Sequence, residues 1–155
     1  MMQAIGSRAR QSMRVFLLLS LSALIVGAED VSANLQVSGD CNDESGPHNG
    51  LWLYMGQTAS GRPYYKHSEQ PYYMYYDPAC DGQAEGRWVM DSEAPSVTAE
   101  ADLDEDTHCF YHSRYLDSSM MPSSGVWRSY CAEVGLGWVD SNVVITQVVT
   151  TTTTT

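Results

Sequence analysis

Apolar and polar residues alternate in short runs along the chain, and clusters of turn-forming residues separate the runs. Leu35 and Val37 alternate with polar neighbours, and Gly39-Asp40 ends that run. Alternation with a period of two is typical of a half-buried strand. The same reasoning predicts strands at 51–55, 62–67, 72–76 and 87–90, and weaker ones at 96–98, 109–115, 126–132, 137–140 and 142–149. A short helix is the competing interpretation for 109–115.

The segments between these runs carry specific turn signals. The stretch 41–50 (CNDESGPHNG) is dense in turn formers and ends in Asn49-Gly50, a strong hairpin signal. Pro63 has no N–H for a strand ladder, so we expect it at the start of its strand or on a sheet edge. Many short strands of this kind predict a mostly β fold, a small disulfide-stabilised antiparallel β-meander or sandwich-like domain over residues 34–149.

The first 28 residues have the features of a secretory signal peptide. Arg8, Arg10 and Arg14 form a basic stretch, the apolar run 15–26 follows, and small residues precede a plausible cleavage point after Ala28. This run is too short to cross a bilayer as a helix, which needs about 20 residues. An uncleaved anchor is the alternative interpretation. No second apolar run follows, so we expect a secreted protein with no membrane span after signal removal.

A threonine tract at 150–155 ends the sequence and offers no apolar side chains for a core. Such tracts often act as stalks or carry O-linked sugars in secreted proteins. We therefore divide the sequence into a signal peptide at 1–28, a secreted β domain at 34–149 and a low-complexity tail at 150–155.

The predicted mature chain is strongly acidic. Removing the signal takes away three arginines and no acidic residue, so the formal net charge falls from −11 to −14. This charge repels phosphate backbones and anionic membrane surfaces, which excludes nucleic acid as a favourable partner. The acidity serves either solubility outside the cell or the attraction of cations and basic partners.

Four cysteines follow the predicted cleavage point, and none lies in a Cys-X-X-Cys pair. An even number of widely spaced cysteines in a secreted chain predicts two disulfides rather than a structural zinc site. Spacing alone allows three connectivities. We favour Cys41–Cys80 and Cys109–Cys131, because each bridge then links residues within one half of the domain.

Adjacent tyrosines are concentrated between positions 64 and 76. Neighbours on a strand face opposite sides, so both faces of the predicted sheet would carry aromatic rings. One face must be core. The other is either a cross-strand ladder that adds stability or an exposed platform that binds a glycan or a protein. The residues predicted for such a ligand-binding face are Trp52, Tyr54, Arg62, Tyr65, Tyr73 and Tyr75.

Several motifs between positions 49 and 88 share a pattern with a known module. They are Asn49-Gly50, Gly61-Arg62-Pro63-Tyr64-Tyr65, Tyr75-Tyr76-Asp77-Pro78 followed by Cys80, and Trp88. This stretch resembles a short module of secreted and membrane proteins in algae and other protists, where it often occurs in tandem. The resemblance implies a small β unit and no catalytic activity.

Two clusters have the composition of a metal site. Asp102, Asp104 and Asp106 offer hard oxygen ligands at close spacing, as calcium requires, but the run lacks the glycine and final glutamate of an EF-hand loop. A solvated loop is the default interpretation. His108 and His112 could share a face and bind zinc or copper with a nearby aspartate. We expect no cofactor, with weakly bound calcium as the alternative.

The sequence lacks the motifs of common enzyme classes, namely GxSxG, HExxH, a phosphate-binding loop and GxGxxG. Acidic residues are plentiful, so a carboxylate-based hydrolase is an alternative, although a domain this small leaves little room for a deep cleft. We therefore expect a non-catalytic extracellular binding or structural module whose partner is a glycan or an extracellular protein. A calcium-dependent adhesion unit is a further alternative.

Overall fold

The alternating segments form eight strands in a computed structural model, which describes residues 32–80, 85–104, 110–132 and 135–148. The predicted signal peptide and the threonine tract lie outside these residues. In chain order the strands are β1 Asn34–Ser38, β2 Gly50–Gln57, β3 Pro63–His67, β4 Tyr73–Asp77, β5 Arg87–Asp91, β6 Ser113–Tyr115, β7 Gly125–Cys131 and β8 Gly137–Val148.

Each strand pairs antiparallel with the next, and β8 returns to pair with β1. The predicted antiparallel meander is therefore confirmed, and it closes into a barrel instead of stacking as two sheets. Closure gives every strand two partners, so the sheet that the described residues form has no edge strand. Within the described part of the chain, no helix is long and apolar enough to cross a membrane.

Most predicted strands are present, with three differences. The segments predicted at 137–140 and 142–149 form one continuous strand, β8. The second difference is that residues 96–98 form no strand. The third difference concerns Asn49-Gly50, which is not a two-residue hairpin turn, because β1 and β2 are joined by a longer loop and Gly50 already belongs to β2. Pro63 begins β3, as expected.

Three tryptophans fill the barrel interior. Trp52, Trp88 and Trp127 are each 0 % exposed and pack with Leu35, Val37, Tyr65, Met74, Met90 and Val143. Each indole N–H donates to a loop carbonyl, that of His48 for Trp52, Ser119 for Trp88 and Ser123 for Trp127. The largest core side chains therefore also hold the loops that cover the barrel ends.

A second, smaller apolar cluster lies outside the barrel, on the outer face of β4 and β5. Tyr75 and Val89 are buried there under Leu103, and Ala99 and Tyr111 pack at its margin. Both faces of β4 and β5 are apolar, so the segment that follows β5 must cover the outer one. Residues 96–103, which include the segment 96–98 predicted as a weak strand, supply part of that cover.

The observed disulfide joins Cys41 to Cys131, with the two Cα atoms 5.7 Å apart. The predicted pairs Cys41–Cys80 and Cys109–Cys131 are therefore wrong. Barrel closure is the reason, because it brings the end of β7 beside the loop after β1, across a sequence separation of 90. Cys80 is also disulfide-bonded, and Cys109 lies outside the described residues.

The loop that carries Cys41 is held against β8 by backbone contacts as well. Gly39 has a φ of 81° and lies so close to the backbone of Asn142 that a side chain there would collide with it. Asn42 donates from Nδ2 to the carbonyl of Asp140 at 2.9 Å and accepts from the N–H of Asn142 at 3.0 Å. Cys41 and Asn42 adopt positive φ values of 55° and 51°, a conformation that these contacts must hold in place.

We predict that the double variant Cys41→Ala, Cys131→Ala loses about 4–5 kcal/mol of unfolding free energy, because the bridge closes a loop of about 90 residues in the unfolded chain. Urea unfolding followed by tryptophan fluorescence measures this loss. The native protein without reductant is the reference. A loss below about 1 kcal/mol would contradict the assigned pairing.

Candidate functional site

The residues predicted for an aromatic binding face are divided between two sides of the barrel wall. Trp52 and Tyr65 are 0 % exposed in the core, and Tyr54 packs beside Tyr65 with ring centroids 6.1 Å apart. Tyr75 is 1 % exposed, and it belongs with Tyr73 to the outer cluster. The expectation that these side chains share one exposed face is therefore wrong, because closure makes one side of each strand the core.

The remaining predicted residue of that face, Arg62, holds a loop. Its guanidinium lies 3.6 Å from the centroid of the Tyr76 ring and donates to the carbonyls of Ser118 and Ser119, at 2.7 and 3.2 Å. These contacts fasten the β6–β7 loop to the barrel. Arg62 therefore has a structural role in this arrangement.

An open groove of about 550 Å³ lies outside the barrel, between the end of β5 and the β7–β8 hairpin. Aromatic and acidic side chains make up most of its wall. The lining residues are Asp91, Ser92, Glu93, Asp104, Phe110, Tyr111, His112, Tyr130 and Trp138.

The aromatic wall of the groove is set by strand register. Tyr130 on β7 lies directly opposite Trp138 on β8, and their ring centroids are 5.3 Å apart. Tyr111 approaches Trp138 edge-on at 5.7 Å. Phe110, Trp138 and Tyr130 are 69 %, 43 % and 41 % exposed. Large apolar rings that are exposed side by side in this way are typical of binding sites.

The acidic wall begins at the end of β5. Asp91 is 4 % exposed, and its carboxylate accepts hydrogen bonds from the hydroxyl of Tyr75 and the backbone N–H of Glu93, both at 3.3 Å. Burial raises the pKa of Asp91, although the N–H groups of Glu93 and Ser92 oppose part of that rise. The side chain of Glu93 is exposed at the groove.

Behind this groove lies a buried aspartate–histidine pair that the sequence interpretation missed. His48 donates from Nδ1 to Oδ2 of Asp40 at 2.8 Å, and both side chains are 0 % exposed. The His48 ring packs against Tyr72, with centroids 4.6 Å apart, and Tyr72 packs against His112 at 5.0 Å. His112 lines the groove, so these ring contacts connect the groove wall to the barrel end.

The Asp40–His48 pair has the geometry of a positioned base, but it supports no catalytic assignment. Nε2 of His48 has no hydrogen-bond partner among the described residues, so no nucleophile is aligned with it there. Burial raises the pKa of Asp40, but the hydrogen bond and charge of His48, with a further hydrogen bond from Ser129, outweigh it and lower the pKa overall. The pair therefore stabilises the loop that carries the disulfide.

The predicted calcium ligands are only partly described. Asp102 and Asp104 lie in the loop that covers β4 and β5, and Asp106 lies outside the described residues. Asp104 approaches Asp77 and Cys80, but a disulfide-bonded sulfur is not a thiolate ligand. Asp77 already accepts the N–H groups of Ala79 and Leu103. Calcium binding thus stays a prediction.

The predicted zinc or copper pair is also incomplete, because His108 lies outside the described residues. His112 packs against the rings of Tyr72 and His48.

The groove residues had a weak signal in the sequence. Trp127 and Cys131 face the core, so alternation along β7 places Tyr130 on the outer face. The pairing of Tyr130 with Trp138 then depends on the β7–β8 register. The prediction relied on the tyrosine-rich stretch at 64–76, but tyrosine density does not distinguish core from surface, so the predicted face included buried side chains.

Comparison of the chain with protein-family models finds no match, and comparisons with curated proteins and with solved structures find none either. Function must therefore be inferred from the groove itself.

We predict that Asp40→Asn lowers the unfolding free energy by about 2–4 kcal/mol at neutral pH, because it removes one partner of a buried charged pair. The folded-state pKa of Asp40 lies below its ordinary value of 3.8, so its stabilisation is complete above that pH and is lost as the pH falls through the folded-state pKa. The difference between variant and native protein should therefore shrink in acid.

Denaturant unfolding between pH 2 and pH 8 measures this difference. Glu44→Gln is the matched control, because Glu44 is an exposed acid on the same loop, and it should leave the unfolding midpoint unchanged at neutral pH. A penalty for Asp40→Asn that stays the same size throughout the acid range would contradict the proposed role of the carboxylate charge.

Proposed function

We propose that this protein is a non-catalytic extracellular binding module that holds a saccharide in the groove between β5 and the β7–β8 hairpin. The observation that carries the proposal is the set of exposed rings of Phe110, Tyr130 and Trp138 beside carboxylates in one groove. Flat aromatic rings stack on the apolar C–H faces of sugar rings, and carboxylates accept hydrogen bonds from sugar hydroxyls.

The size of the groove favours a small ligand over a protein surface. Its volume of about 550 Å³ falls in the range of about 300–1,000 Å³ that is usual for small-molecule sites. A protein partner would need a much wider contact, about 800 Å² on each side for a stable complex. A short oligosaccharide is the ligand that best fits this space.

The groove is also supported by rigid neighbours, which reduces the entropy lost on binding. Tyr130 and Trp138 lie on paired strands, and β7 ends in the Cys41–Cys131 disulfide. Asp91 is held by Tyr75 of the outer cluster. A ligand would therefore meet side chains that are already in place.

An extracellular location is part of the proposal. Disulfides persist in oxidising compartments, and the predicted signal peptide and strong acidity agree with that location. The acidic surface would also keep the domain soluble and discourage contact with anionic polymers.

Binding to a glycan array that carries neutral, acidic and amino-bearing oligosaccharides tests the proposal. We predict that Trp138→Ala weakens binding to any recognised glycan by at least about tenfold, because it removes the largest aromatic ring system of the groove. Val144→Ala is the matched control, because Val144 is exposed further along the same outer side of β8. An array without binding, or binding that Trp138→Ala leaves unchanged, would overturn the proposal.

Running the array with and without calcium distinguishes the proposed saccharide site from the remaining alternative, a calcium-dependent adhesion unit. A calcium-dependent adhesion unit would bind only with calcium, and calcium would raise its thermal unfolding midpoint through linkage. The proposed saccharide site predicts the same binding in both conditions, because its contacts are aromatic rings and carboxylates.

One observation favours a second candidate function, a carboxylate-based glycoside hydrolase. Burial raises the pKa of Asp91 in an aromatic groove that also holds Glu93 and Asp104, and a general acid requires such a shift. Release of reducing sugar from a bound oligosaccharide would indicate this activity. Asp91→Asn can keep its hydrogen bonds with Tyr75 and Glu93, so the variant should fold and lose only the hydrolysis. The binding-module proposal predicts no release.

A further inference from the structure

We infer that the saccharide recognised by the groove carries a protonated amino group, as in an oligosaccharide of glucosamine. This inference rests on the proposed function and narrows the class of ligand. It follows from the charges that line the groove and from the way the aromatic rings are arranged beside them.

The charge balance of the groove is one-sided. Asp91, Glu93 and Asp104 contribute three carboxyl groups, and no lysine or arginine is among the described residues that line the groove. The imidazole of His112 is the basic group in this set. Carboxylates near an aromatic wall attract a cation and repel an anion, so sulfated and carboxylated sugars are disfavoured.

The aromatic wall adds a second attraction for a cation. An ammonium group over the face of a tryptophan or tyrosine ring is drawn to the negative centre of that face, and tryptophan is the strongest partner. The guanidinium of Arg114 lies 5.6 Å from the Tyr111 ring centroid, so a cation of the protein already contacts that ring. We therefore assign the ligand's amino group to the two neighbouring rings, those of Trp138 and Tyr130.

The carboxylates differ in how accessible they are. Asp91 is almost fully buried and its oxygens bind the Tyr75 hydroxyl and the Glu93 N–H. The side chain of Glu93 is exposed at the groove. Glu93 is therefore the carboxylate that would meet the ligand's ammonium group, while Asp91 fixes the backbone that carries it.

A matched pair of ligands tests the inference on the purified full chain with its disulfides intact. The tetramer of glucosamine carries free amines, and the tetramer of N-acetylglucosamine has the same sugar rings without the charge. Isothermal titration at pH 6 should show about five-fold tighter binding of the glucosamine tetramer, the size expected for one partly exposed charge contact. Raising the salt concentration from 0.05 to 0.5 M should reduce that preference, because salt screens exposed charges.

Glu93→Gln should remove most of the preference, measured as the ratio of the two dissociation constants, because it removes the charge that faces the ammonium group. Glu85→Gln is the matched control, because Glu85 is an exposed acid near the other end of β5 and its substitution removes the same unit of charge. The Glu85→Gln variant should keep the preference for the glucosamine tetramer.

Other outcomes separate this inference from the proposed function. If both tetramers bind equally, or the acetylated one binds more tightly, and Trp138→Ala abolishes that binding, the groove binds saccharide and the assignment of an amino group is overturned. If the preference for the free amine survives Glu93→Gln, or if Glu85→Gln reduces it as much as Glu93→Gln does, general charge attraction explains it and the inference also fails. If neither tetramer binds although other glycans on the array do, the inference alone fails. If no glycan binds, the proposed function fails and the inference with it.

Discussion

β8 pairs with both β7 and β1, and this double pairing closes the barrel. Closure determines which side of every strand is core, so it also determines which side chains remain for a ligand. It brings the loop after β1 beside the end of β7, where the Cys41–Cys131 bridge forms. The contacts of Asn42 with the β8 backbone fasten the same junction. Core, disulfide and groove thus all depend on one strand that has two partners.

The interior of the barrel is occupied by its own side chains. Trp52, Trp88 and Trp127 are fully buried, and their indole N–H groups reach carbonyls in the covering loops. An eight-stranded barrel is just wide enough for side chains to fill it or for one small ligand to replace them. Here the tryptophans fill it, which is why the candidate site lies on the outer wall.

Buried polar groups concentrate near the disulfide end of the barrel. Asp40 and His48 form a fully buried pair, and Ser113 and Ser129 exchange a hydrogen bond of 2.8 Å between their hydroxyls. The ring contacts from His48 through Tyr72 to His112 lead from this pair to the groove wall. A buried charge is costly unless it is paired, so this network fixes the loop that covers the barrel end. The groove therefore lies beside one of the most constrained parts of the molecule.

The sequence by itself determined the fold class and the position of most strands. Alternation at Leu35–Val37 and the bounds near Pro63 and Asp77 are local signals, because a strand's period of two and the missing N–H of proline act within a few residues. The tertiary structure alone decided closure, disulfide pairing and the exposure of each tyrosine. Cys41 and Cys131 are separated by 90 positions, and no local pattern encodes that contact. Tyr65 and Tyr130 have the same chemistry, yet one is core and the other lines the groove, because burial depends on which strands become neighbours.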